Sequence, residues 1–209
     1  MLVSQVDRCN IILKKLSLNP IVEDDFIDKS ISSDMKQYIE QMWTTRAYDN
    51  NWQTEPDLHT KPAFEKFAEK VIQKSKEQIE LLDYDVEDIK ITDMWGNVLR
   101  NKESHPPHTH SNNFLSGVFY IDADNTSGIT FQDPRPGANV ILPRKKNDHI
   151  DNASLLHYKA KTNRIIIFPS WLVHWVPTNK STKDRISISW NIQIKGQLGE
   201  RHEYQSGQF

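Results

Sequence analysis

The sequence predicts a mainly β protein carried on supporting helices. Two patterns carry that expectation. From Ile89 onward, eight short apolar or alternating runs are separated by turns rich in Gly, Pro, Asn and Asp, which is the pattern of an all-β sandwich or barrel rather than of a parallel sheet with crossover helices. Before them lie two stretches whose apolar residues recur at three and four, the spacing of amphipathic helices. At 209 residues, 26% charged and 37% hydrophobic, the chain is long enough to bury a real core and has the composition of a soluble globular protein.

The first twenty residues hold Ile11-Ile12-Leu13 and Leu16, with Pro20 as a break, and are expected to form an edge strand or short entry segment. From Asp28 to about Tyr48 the positions Ile31, Met35, Tyr38, Ile39, Met42 and Trp43 mark the first helix. A polar loop over residues 49–57 follows. Pro62 then opens a second helix with Phe64, Phe67, Ala68, Val71, Ile72, Ile79 and Leu82 on one side. The helices are expected to brace one face of a sheet.

The expected strands run over Ile89 to Trp95, Phe114 to Ile121, Gly128 to Phe131, Val140 to Leu142, Leu156 to Ala160, Arg164 to Phe168, Leu172 to Val176 and Arg185 to Ile194. Residues 1–88 thus read as an N-terminal segment with supporting helices and 89–209 as the β core, together one structural domain. The connection from Asp133 to Asn163 is the least regular part, suited either to a lid or to a decorated turn.

Composition excludes some functions. The net charge of −2 offers no general basic surface and argues against nucleic acid, with Arg144-Lys145-Lys146 read as a solvated loop. No window is apolar enough to cross a bilayer, and the N-terminus lacks the features of a secretory signal, so a cytoplasmic protein is expected. The single cysteine, Cys9, cannot form an internal disulfide, and nothing near it in sequence would activate it as a nucleophile.

The chemistry concentrates in the histidines. In a strand, residues two apart share a face, so His108 and His110 of His105-Pro106-Pro107-His108-Thr109-His110 can aim two imidazoles at one point, as metal ligands do. A third candidate, His174, follows the apolar run ending at Phe168. Further on, Arg185-Ile-Ser-Ile-Ser-Trp-Asn191 alternates cleanly, with Arg185, Ser187, Ser189 and Asn191 on one face. A guanidinium at the head of such a stripe needs an anion, because an unpaired buried charge is costly. The anion could be an aspartate of the fold or a carboxylate ligand held by a bidentate pair. Trp95, Trp171 and Trp175 read as barrel core or pocket rim, Asn97 as a possible pocket residue, and His157 and His202 as surface residues.

In order, His108-x-His110, Leu115-Ser-Gly-Val-Phe-Tyr120, Ser127-Gly-Ile-Thr-Phe131, Phe168-Pro-Ser-Trp171, His174 and Arg185-Ile-Ser-Ile-Ser189 resemble the Fe(II)- and 2-oxoglutarate-dependent oxygenases. The similarity is greatest to a small bacterial and phage subgroup and extends more distantly to prolyl hydroxylases; it covers roughly Trp95 to Ile194. It implies a double-stranded β-helix, the jelly-roll or cupin-like barrel, with the helices behind its larger sheet. It also implies Fe(II) held by His108, His110 and His174, with 2-oxoglutarate as co-substrate and O2 as oxidant. By the same likeness Arg185 pairs with the far carboxylate of 2-oxoglutarate, Tyr120 reaches it too, and Ser187 or Ser189 adds a hydroxyl. The implied reaction is hydroxylation of a substrate the sequence does not identify, a small molecule or a protein side chain, with release of succinate and CO2. A phage-encoded protein acting in a host cytoplasm would fit the subgroup.

The chain departs from the family at His110, where most members carry a carboxylate. Two imidazoles and a carboxylate leave Fe(II) with one formal positive charge, whereas three imidazoles leave two, enough to neutralise a bound dianion. Asp133, Asp122 or His105 are the other candidates for the third ligand, Asp122 the weakest because its strand leads away from His110. Two other functions share the pattern: a three-histidine cupin-type dioxygenase independent of 2-oxoglutarate, which would not require Arg185, and a non-catalytic jelly-roll binding module.

Overall fold

A computed structural model describes residues 20–43, 51–135, 140–141, 143–147, 149, 152–199, 202 and 206–208. The expected entry segment around Ile11 to Leu16 and Cys9 lie outside the described residues. The first helix, α1, runs over Lys29–Trp43, with Met35 and Ile39 fully buried, and its expected continuation toward Tyr48 is also outside them. Pro62–Phe64 forms a 3₁₀ turn that leads into α2, Glu65–Leu81, which buries Phe67, Val71 and Ile79 on one face. The proline opens the turn where its missing N–H costs nothing.

The β core is built from β3 (Asp88–Leu99), β4 (His105–His108), β5 (Leu115–Asp122), β6 (Ile129–Gln132), β7 (Leu155–Tyr158), β8 (Ile165–Pro169), β9 (His174–Val176) and β10 (Arg185–Lys195). Two short strands join them, β1 (Ile21–Glu23) and β2 (Trp52–Gln53). They form a six-stranded sheet in the order β1-β8-β5-β10-β3-β2 and a four-stranded sheet in the order β4-β9-β6-β7, every named pairing antiparallel. This is the expected jelly-roll, two sheets facing each other across an interior.

Alternation along the central strands divides the core in two. On β10, Ile186, Ile188, Trp190 and Ile192 face the helices and join Phe26, Phe67, Val71 and Phe119 in one apolar cluster. On the other face of the large sheet, Val118, Tyr120, Ile166 and Phe168 meet Ile129, Phe131 and Leu172 between the sheets. The helices therefore brace the outer face and leave the inner one for the site. Trp190 sits opposite Gly117 on β5, and a Cβ on Gly117 would lie 2.2 Å from its indole ring, so the outer packing requires a glycine there.

Two expectations are corrected here. Val140 and Ile141 are exposed and lie outside any strand, and Leu142 is outside the described residues. An apolar triplet flanked by turn residues is too short a signal to separate a strand from a loop. The second correction concerns His108 and His110, which strand alternation was expected to align. β4 ends at His108, and His110 lies beyond it in the following turn.

Candidate metal and co-substrate site

Despite that correction, the three imidazoles converge. One nitrogen of each of His108, His110 and His174 lies within 4.8 Å of the other two, and no carboxylate joins the group among the described residues. Each arrives by a different route. His174 opens β9, is 4% exposed, and stands opposite His108 of β4 in the ladder. His110 is placed by its backbone N–H, which donates to the Ser170 carbonyl at 2.9 Å, and its ring lies against Trp95 with centroids 5.8 Å apart. Asn112, with φ 63°, completes the turn into β5; asparagine is among the few side chains that tolerate that region.

The tautomers suit metal binding. Nδ1 of His108 lies 2.8 Å from the Pro106 carbonyl, and Nδ1 of His174 lies 2.8 Å from the Leu172 carbonyl. A carbonyl can only accept, so each Nδ1 carries the proton and each Nε2 presents a lone pair to the cluster. The Nε2 atoms of His110 and His174 are 3.2 Å apart. Two nitrogens bound at right angles to one ion at about 2.1 Å stand about 3.0 Å apart, so a single small cation fits between them. Burial, the leading cause, holds His174 down to a pKa of about 3 and His110 to about 4, the latter with the His108 charge as second cause. Both are then neutral, as ligands must be, at ordinary pH.

The other candidates for a third ligand are committed elsewhere. Asp133 takes a bidentate bond from Arg135, at 2.9 and 2.6 Å. Asp122 pairs with Lys36 of α1 at 2.6 Å. His105 lines the same pocket as the three histidines but stands outside their cluster.

Arg185 is 2% exposed, and no acid pairs with it among the described residues. Its Nε donates to the Ser127 carbonyl and an Nη to Ser187 Oγ, both at 2.9 Å, and its guanidinium carbon lies 4.9 Å from the centre of the Tyr120 ring. The ion pair with an aspartate is thus not found among the described residues, and Arg185 lines the pocket that holds the histidines. The Tyr120 hydroxyl is buried and makes no well-formed hydrogen bond among the described residues; burial raises its pKa, and the nearby Arg185 guanidinium partly opposes that rise. A buried cation without an anion and an orphaned hydroxyl form a polar end suited to a carboxylate.

The two serines divide their roles. Ser187 is fully buried and holds the guanidinium, whereas Ser189 lines the pocket and accepts from Asn97 Nδ2 at 3.1 Å. Asn97 is a hub that sequence reading barely marked: its Oδ1 accepts from Gln53 at 2.8 Å and from Trp95 Nε1 at 3.2 Å. β3 pairs with β10 so that Trp95 faces Ser189 and Asn97 faces Ser187, and alternation along Trp95-Gly-Asn97 could have placed both beside the arginine stripe. Trp171, in contrast, is half exposed outside the pocket lining. His157 and His202 are exposed, as expected.

The pocket spans about 460 Å3 including its open mouth, and it is lined by no aspartate or glutamate among the described residues. Residues 93–191 match the sequence family described as "Putative 2OG-Fe(II) oxygenase". No curated protein sequence matches the chain. Among solved structures, HygX from Streptomyces hygroscopicus with nickel and 2-oxoglutarate bound superposes with a TM-score of 0.62 at 11% identity, covering 92% of this chain and 87% of that one. A Pseudomonas putida prolyl-4-hydroxylase gives 0.59 at 10% identity, covering 88% and 98%. The viral collagen prolyl hydroxylase of Paramecium Bursaria Chlorella virus-1, in complex with 2OG, gives 0.55 at 13%, covering 83% and 94%. At such identities these likenesses establish a shared fold.

Proposed function

We propose that the chain, whose residues 93–191 match the oxygenase family model, is an Fe(II)- and 2-oxoglutarate-dependent oxygenase in which His108, His110 and His174 hold the iron and Arg185 anchors the far carboxylate of 2-oxoglutarate. The observation that carries this assignment is the pairing of a cluster of three imidazoles with a buried arginine, neither of which has an acidic partner among the described residues. Bound there, iron and 2-oxoglutarate supply the O2-dependent oxidation, with succinate and CO2 as products and a hydroxylated substrate.

The protein's own part is arrangement. The Pro106 and Leu172 carbonyls fix the proton on Nδ1 of His108 and His174 and so aim Nε2 at the metal. Ser127 and Ser187 hold the guanidinium in the pocket, where it would bind the far carboxylate of a dicarboxylate whose 2-oxo acid end would face the histidines. Phe168 and Val118 wall the site and limit water. Trp95, Asn97, Gln53 and Ser189 form a hydrogen-bonded flank, which we propose meets the substrate. We propose as substrate a small molecule or a protein side chain, since the structural neighbours include prolyl hydroxylases and a protein solved with hygromycin B bound. No helix among the described residues is long and apolar enough to cross a membrane.

Anaerobic reconstitution with Fe(II), followed by titration with 2-oxoglutarate and observation of the metal-to-ligand charge-transfer band, tests the assignment. A band should form in the native protein; Arg185→Ala should retain iron and lose 2-oxoglutarate affinity. His110→Ala should weaken iron binding far more than His105→Ala, and equal effects would remove His110 from the ligand set. A three-histidine dioxygenase without 2-oxoglutarate would show iron but no band, and a binding module would show neither.

A further inference from the structure

His105 and His108 are three residues apart, and in a regular strand they would point to opposite faces. They do not. In the β4–β9 ladder His105 stands opposite Val176 and His108 opposite His174, so four residues of β4 span three of β9, with an irregularity between them. The extra residue falls in Pro106-Pro107, whose nitrogens have no hydrogen to give to the ladder. Val176 and His174 share a face, so their partners share it too, and both His105 and His108 line the pocket.

The bulge thus delivers a fourth imidazole to a pocket whose metal cluster is complete without it. His105 is half-buried, outside the group of three, and has no hydrogen-bond partner for its ring among the described residues. Three causes hold its pKa down to about 4, burial first, the Arg185 charge second and the His108 charge third, against a smaller opposing effect of Glu103. His105 is therefore close enough to Arg185 to feel its cation, and both line a cavity that has no acid in its wall among the described residues. Such an arrangement is unfavourable when empty of charge and favourable when an anion sits against both groups.

We infer that His105, carried to the pocket wall by the Pro106-Pro107 bulge, is a second side chain that binds the distal carboxylate of the 2-oxo acid alongside Arg185. The inference rests on the proposed 2-oxoglutarate site. One carboxylate oxygen takes the guanidinium and the other accepts an N–H from the imidazole, so the co-substrate is fixed in rotation as well as in place.

The test compares two 2-oxo acids by charge-transfer titration of the Fe(II) protein under anaerobic conditions: 2-oxoglutarate, and 2-oxovalerate, which has the same five carbons but no distal carboxylate. His105→Ala should weaken 2-oxoglutarate by about tenfold, with Fe(II) affinity and 2-oxovalerate affinity unchanged. His105→Gln, which keeps an N–H donor and a similar length, should recover part of that loss. Equal loss of both acids, or loss of iron, would overturn the inference by placing His105 at the metal or in the fold. Unchanged 2-oxoglutarate affinity would overturn it as well. Absence of any band in the native protein would instead remove the 2-oxoglutarate site itself, a different result from any of these.

Discussion

Arg185, the proposed anchor of 2-oxoglutarate, shows the conflict that a buried charge imposes on a fold. Its guanidinium is buried with two hydrogen bonds and no acid among the described residues, so the empty protein bears an uncompensated charge. Arg185→Met keeps the aliphatic length and removes that charge. The variant should melt no lower than wild type in the absence of ligand while failing to bind 2-oxoglutarate; a clear drop in melting temperature would mean that the arginine is structural. His174 makes a second prediction at this scale. Its pKa is about 3 in the fold against 6.5 in a free chain, so below 6.5 the unfolded chain takes up a proton that the fold refuses. Stability is therefore fully present above that range and is lost as pH falls through it. Melting temperatures of the metal-free protein from about pH 7 to 5 should fall more steeply in wild type than in His174→Gln, and parallel curves would contradict this. The residues behind both predictions were legible as types in order along the chain. His105 was legible only as another candidate for the metal; its place on the pocket wall was not, because alternation alone assigns it to the other face and only the ladder reveals the bulge.

Elements position the site through a polar seam as much as through apolar packing. Ser116 of β5 lies 2.7 Å from the Ser170 hydroxyl and 2.8 Å from Oδ1 of Asn191 on β10, all three buried. Ser170 begins the turn from β8 to β9, and its carbonyl holds the His110 backbone. The seam therefore joins two strands of the large sheet to the turns that carry two proposed ligands. Ser116→Ala leaves Ser170 and Asn191 with unmet polar atoms and should cost about 1–3 kcal/mol in chemical denaturation. It should also weaken Fe(II) binding, because His110 loses its reference point. Loss of stability with iron affinity intact would show that the turn keeps its place without the serine. This seam explains what the sequence withheld at the element scale. Strand interiors such as Ile186 to Ile194 announced themselves by alternation, whereas His110 was read as part of a strand when a turn places it. The short strands Ile21–Glu23 and Trp52–Gln53 carry too few residues for any period to register.

At the scale of the molecule, the large sheet separates stability from chemistry. Its outer face meets the helices in the larger apolar cluster, where Phe67 of α2 touches Phe26, Phe119 and Trp190 with ring centroids 6.2, 5.0 and 5.6 Å apart. Its inner face carries Arg185, Ser189 and the pocket. The helical periodicity of residues 62–82 showed which face of α2 is apolar, and a helix so patterned must cover something; that it covers the face opposite the site follows only from the inward set of β10. The two faces carry separate apolar clusters joined only through the sheet itself, so the loss of one ring from the outer cluster is expected to lower stability while the inner face keeps its arrangement. Phe67→Ala removes a fully buried ring and should cost about 3–5 kcal/mol in global unfolding. Below its lowered melting temperature, the same variant should bind Fe(II) and 2-oxoglutarate with native affinity. Saturation with both should raise the melting temperatures of variant and wild type alike, since ligands that bind only the folded state stabilise it by about 2.7 kcal/mol at one hundred times their dissociation constant. Titrations on the variant well below its melting point decide the matter: weakened binding there would mean that the helices shape the site through the sheet rather than only support it.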